Sequence, residues 1–141
     1  MEISEVRRRI VQTLERAKRR SMDRRTRVDE AEREYAAFLE QTAVPLFRQA
    51  AQVLKAEGHA FELFTPGGSV RLASARSGED FIELLLDTTG TEPAVMGHVS
   101  RGRGRRLVET EQPLAARPIR ELTDEDVLVF LAKELETFVE R

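Results

Sequence analysis

Few residues in this sequence are of a type that does chemistry. The chain has two histidines, His59 and His98, and no cysteine. His59 directly follows a glycine that closes a helical pattern, and His98 stands inside a run that reads as strand. Neither has the His-x3-His or HExxH neighbour that a compact metal site uses, so both read as solvated histidines. Without a thiol there is no thiolate zinc site, no disulfide framework and no cysteine nucleophile. The acids Glu79, Asp80, Glu83 and Asp87 read as strand ends and a polar edge, not as a matched acid and base. No Gly-x-Ser-x-Gly elbow occurs. Gly97-x4-Gly102 lacks the Lys-Ser/Thr that completes a phosphate loop, and Gly97, Gly102 and Gly104 lack the spacing of a dinucleotide fingerprint. These glycines read as hairpin punctuation. The expectation is a non-enzyme with no catalytic residue, no cofactor and no metal ligand.

Arginine is the chemistry that remains. Arg9, Arg16, Arg20 and Arg27 are spaced by seven, four and seven, which places them in one stripe on a helix that could follow a phosphate backbone. Arg101, Arg103, Arg105 and Arg106 crowd around Gly102 and Gly104, whose backbone donors add to a second polyanion-binding candidate. The charge is divided unevenly along the chain. Residues 1–27 carry ten Lys or Arg against four Asp or Glu, a net of +6, whereas residues 28–141 carry 13 against 21, a net of −8. An acidic body is unlike most nucleic-acid modules, and with seven Phe, one Tyr and no Trp there is no stacking platform in view. Three of the arm's nine arginines also have an acid at i−4, in Glu5–Arg9, Glu15–Arg19 and Asp23–Arg27, the pattern of a solvated helix. Nucleic-acid binding is therefore the second reading.

The first reading comes from the element that carries the stripe. Residues 2–27 contain neither glycine nor proline and are rich in helix formers. Counting sevens gives Ile3, Ile10, Ala17, Arg24, Ala31 and Phe38 at one seam position, and Arg7, Leu14, Ser21, Val28, Tyr35 and Thr42 at the other. Ile3, Ile10, Leu14, Ala17 and Val28 are the self-association candidates, and a homodimer joined through this helix is the expected assembly. A helical hairpin turning at Ser21-Met22-Asp23 and a frayed arm are the other readings of residues 1–27. The arm, residues 1–27, is set apart from an α+β body, residues 28–141.

Within the body, residues 28–57 have a helical stripe with a kink expected at Pro45 and a left-handed cap at Gly58. The period then shortens to two. Phe61-Glu62-Leu63-Phe64 and Val70-Arg71-Leu72-Ala73 read as a hairpin about Pro66-Gly67-Gly68-Ser69. Residues 80–87 read as an interior strand apolar on both faces, in a sheet covered twice. Residues 95–100 and 106–110 read as a second hairpin about Gly102-Arg103-Gly104. Residues 112–120 read as linker, after which Thr123 and Asp126 mark the start of a helix with Val127, Leu128, Leu131, Leu135 and Phe138 toward the sheet. A long helix, a five-strand meander and a closing helix make an α+β fold with an antiparallel sheet. No window offers the ~20 apolar residues of a membrane span, and no apolar run follows the early arginines, so a cytoplasmic protein is expected.

Overall fold

The computed structural model describes residues 1–140. One helical run opens the chain: helix α1 (Ile3–Phe38), a π-helical turn (Leu39–Ala43) and helix α2 (Val44–Ala56). Helix α1 passes through Ser21-Met22-Asp23 unbroken, so the hairpin reading of the arm is not realised. With no glycine or proline there, nothing offsets the cost of opening the hydrogen-bond ladder. Pro45 takes effect one turn before the expected kink. The N–H of Val44 reaches back five residues to the carbonyl of Leu39, and the widened turn delivers Pro45 to the first turn of α2, where its missing donor costs nothing. Gly58, at φ +89°, ends α2 as the composition implied. Its N–H meets Lys55 and that of His59 meets Leu54, the paired bonds of a Schellman cap.

Five strands follow, β1 (Phe61–Phe64), β2 (Val70–Ser74), β3 (Phe81–Asp87), β4 (Ala94–Arg103) and β5 (Arg106–Pro113), and they pair antiparallel in sequence order. The β1–β2 turn closes with Ser69 N–H on Pro66 C=O, with Gly68 at φ +76°. The second hairpin is tighter than its glycines suggested. Arg103 pairs with Arg106, so Gly102 and Arg103 lie within β4, and the turn is Gly104-Arg105 alone with Gly104 at φ +63°. A glycine at the first central position is what a type II′ hairpin requires. The expected linker also begins later, since β5 runs on to Pro113.

A 3-10 turn (Ile119–Glu121) leads to helix α3 (Asp124–Val139), entered through a complete capping box between Thr123 and Asp126. Helix α3 buries Val127, Phe130, Leu131 and Phe138, whereas Leu128, assigned to the sheet side from its pattern, is exposed.

All three helices pack on one face of the sheet. Tyr35 and Phe38 of α1, Phe47 and Leu54 of α2, and the apolar face of α3 meet Val70, Leu72, Ile82, Leu84, Val95 and Val99. The other face carries Arg71, Phe81, Glu83, Leu85, Met96 and His98, and Phe81, although buried, stands outside that core. The expectation that β3 is covered twice by packed elements is therefore corrected. Phe81 is shielded instead by side chains of its own sheet: the Arg71 guanidinium sits 4.0 Å from its ring centroid and the His98 ring 5.2 Å away, edge-on.

Candidate functional site

The arm is the first candidate surface. From Met1 to Arg27 every side chain is exposed except Glu5, which is half-buried, and burial begins at Val28. Four of the five seam residues singled out in the sequence, Ile3, Ile10, Leu14 and Ala17, project into solvent, with Ile3 87% and Leu14 63% exposed. Val28 lies at the margin of the body, half-buried. The next seam positions, Ala31, Tyr35 and Phe38, are buried under the body. One stripe thus serves as core at one end of α1 and as open apolar surface at the other. Between them Arg24 donates through Nη2 to the carbonyl of Thr88 at 2.9 Å, tying the helix to the β3–β4 loop.

The arginine stripe is exposed along its whole length, from Arg9 through Arg16 and Arg20 to Arg27. Glu5 pairs with Arg9 at 2.9 Å, as its spacing implied, and also with Arg8. Among the described residues neither Glu15 nor Asp23 pairs with the arginine four positions on. Arg16, Arg20 and Arg27 are all exposed and, among the described residues, form no ion pair. The hairpin cluster is not one surface. Arg103, Arg105 and Arg106 are exposed, but Arg101 points the other way, onto α3, where Nη2 binds Glu134 at 2.7 Å and the guanidinium lies 4.8 Å from the Phe138 ring. The Glu134 carboxylate also accepts from Gln112. Arg101 is structural, a buried charge neutralised by a buried partner.

A polar array on the open sheet face was not legible beforehand. Glu83, read as edge, is buried in the central strand. Its Oε2 accepts from Ser69 Oγ at 3.1 Å and from Arg71 Nε at 3.0 Å, and its Oε1 lies 3.6 Å from His98 Nδ1. His98 Nε2 in turn lies 3.4 Å from Glu109 Oε1. His98 is therefore bracketed by two carboxylates, not solvated alone. The register explains the grouping, because Arg71, Glu83 and His98 are direct cross-strand partners. A charged residue at the third position of an otherwise apolar strand, Phe81-Ile82-Glu83-Leu84-Leu85, was the available signal. The array satisfies a buried acid with hydrogen bonds from Ser69 and Arg71. It lies apart from a cleft of about 440 Å³ lined by His59, Ser74, Arg76 and Asp80.

Among the described residues no group of three His, Asp or Glu is placed to hold a metal ion, and no helix is long and apolar enough to cross a membrane. Comparison with protein-family models, with curated proteins and with solved structures found no match to this chain.

Proposed function

We propose that this protein is a non-catalytic, self-associating interaction module, a cytoplasmic adaptor whose N-terminal helix joins two copies into a homodimer. One observation carries the reading: the apolar seam that packs α1 on its own body continues, uncovered, through Leu14, Ile10 and Ile3. Exposed apolar residues at seam spacing on a rigid helix are the surface from which coiled coils are made, and a two-fold contact is the simplest closed one. Light scattering or sedimentation of the full chain at micromolar concentration tests it. The expected result is a dimer, converted to a folded monomer by Leu14→Glu. A monomeric wild-type chain would sink the reading.

A second reading, polyanion binding along the arm, is favoured by one specific observation, the unpaired and exposed Arg16, Arg20 and Arg27. The net −8 of residues 28–141 opposes it.

A further inference from the structure

Resting on that reading, we propose that the two arms pair antiparallel about a two-fold axis level with Gln12 along the helix, with Ile10 of each chain packed against Leu14 of the other. The body's position on α1 is the first reason. It occupies the seam side of the helix at Ala31, Tyr35 and Phe38, it half-buries Val28, and its Thr88 carbonyl already binds Arg24. A partner helix laid along the seam in parallel and in register would continue past residue 24 into the space the body fills. An antiparallel partner instead brings only the first turn of its own α1, at Ile3, to this body.

The seam itself selects the register. Antiparallel helices of heptad pattern set the seam position of Ile3 and Ile10 against that of Leu14 and Ser21. The alignment centred level with Gln12 layers Ile3 on the partner's Ser21, Arg7 on the partner's Ala17, and Ile10 on the partner's Leu14, each layer repeated by the two-fold. Moving one heptad toward the body sets Arg7 against Arg24, a like-charge layer that also competes with Thr88 for Arg24. Moving one heptad away leaves an overlap of only about twelve residues, too short to be stable. The chosen alignment overlaps about 19 residues, roughly 28 Å of helix at 1.5 Å per residue.

Residues flanking the seam agree. Val6 and Val11, each 41% exposed, have no role in the isolated chain. In this alignment Val11 faces the partner's Val11 across the axis, and Val6 lies beside the aliphatic stem of the partner's Arg20. Lys18 falls opposite Ser4. A parallel pair would instead set Arg20 against the partner's Arg25 on both sides, like charges at the interhelical positions. The accessible surface of the chain, 9828 Å², exceeds by roughly 2,400 Å² that of a compact chain of 16.1 kDa. That excess is ample for the ~800 Å² per partner of an ordinary stable interface.

The cysteine-free sequence makes a direct test straightforward. Ile3→Cys, Ser21→Cys and Val11→Cys chains are prepared singly, and the first two are also mixed and left to exchange, before a short bis-maleimide is added. The expected products are crosslinked dimers from the Ile3→Cys and Ser21→Cys mixture and from Val11→Cys alone, with little product from Ile3→Cys alone. Efficient self-crosslinking of Ile3→Cys, with light scattering still reporting a dimer, would overturn the antiparallel arrangement and leave the self-association reading standing. A chain that stays monomeric at tens of micromolar would overturn both.

Discussion

The ring of Phe130 lies so close over Gly97 that a Cβ built on the glycine would stand 2.6 Å from Cζ of that ring. Gly97 is in the middle of β4, paired with Leu84 of the central strand, and Phe130 belongs to the apolar face of α3. The missing side chain is what lets the helix approach the sheet at this point.

Gly97→Ala should therefore destabilise the fold by about 1–3 kcal/mol, the cost of displacing a packed aromatic ring. Urea unfolding measures it. Combining Gly97→Ala with Phe130→Leu should cost less than the sum of the two single changes, because the smaller side chain vacates the space the methyl needs. Strict additivity would show that ring and glycine do not meet.

This contact also marks where the sequence stopped being legible. The Gly58 cap, the Gly68 turn and the Thr123 box were readable because each is set by residues within five positions of one another. Gly97 was read as turn punctuation because its reason is a ring 33 positions later in the chain. Arg101 was read as a free cation for the same reason, since Glu134 is equally distant in sequence and only the packing of α3 on β4 brings them to 2.7 Å. Glu83 was visible as a charge in an apolar run, but its partners depend on strand register, which periodicity alone does not determine. Pro45 announced a disturbance in the helix. The ladder absorbed it one turn earlier, through i→i+5 bonding that no residue pattern signals. For the arm, the heptad spacing could be read, but whether the helix ran on or folded back at Ser21-Met22-Asp23 could not, because both keep the same local pattern.

Tyr35 links α1 to the sheet, its hydroxyl donating to Gly68 C=O at 2.6 Å. Burial, and secondarily the charge of Glu83, push its pKa from 10.0 up to about 12. In the unfolded chain the phenol ionises near its ordinary value, so between these two values the folded state holds a proton that the unfolded state has lost. The stabilisation relative to the ionised form is complete below pH 10 and disappears as pH rises through about 12, a loss on the order of 2–3 kcal/mol. Because Tyr35 is the chain's one tyrosine and there is no tryptophan, an absorbance titration of the folded protein reads it directly. A midpoint near 10 would show the hydroxyl to be in water. Tyr35→Phe should remove this segment of the pH dependence while costing about 1 kcal/mol at neutral pH through the lost hydrogen bond.

The two functional readings of the arm rest on different side chains of one helix, sharing only Arg20, and substitutions can separate them. Replacing Arg16, Arg20 and Arg27 by glutamine leaves Ile3, Ile10, Leu14 and Ala17 untouched and keeps two of the three stem methylenes of Arg20 beside the Val6 it meets, so self-association should persist. Were the stripe a phosphate-binding track, each lost contact would lower the slope of log affinity against log salt by about 0.9 for duplex DNA. The expected outcome is weak duplex binding, above ~10 µM near ~150 mM salt, in the nonspecific range and little changed by the triple substitution. The availability of these three side chains favours binding, since no acid neutralises them. Against it stands the acidic body at the C-terminal end of the same helix, where Arg27 shares a pocket with Glu30, Glu34 and Glu92, like charges to an approaching polyanion. A submicromolar, salt-sensitive complex abolished by the triple substitution would make the stripe, and not the seam, the working face of the arm.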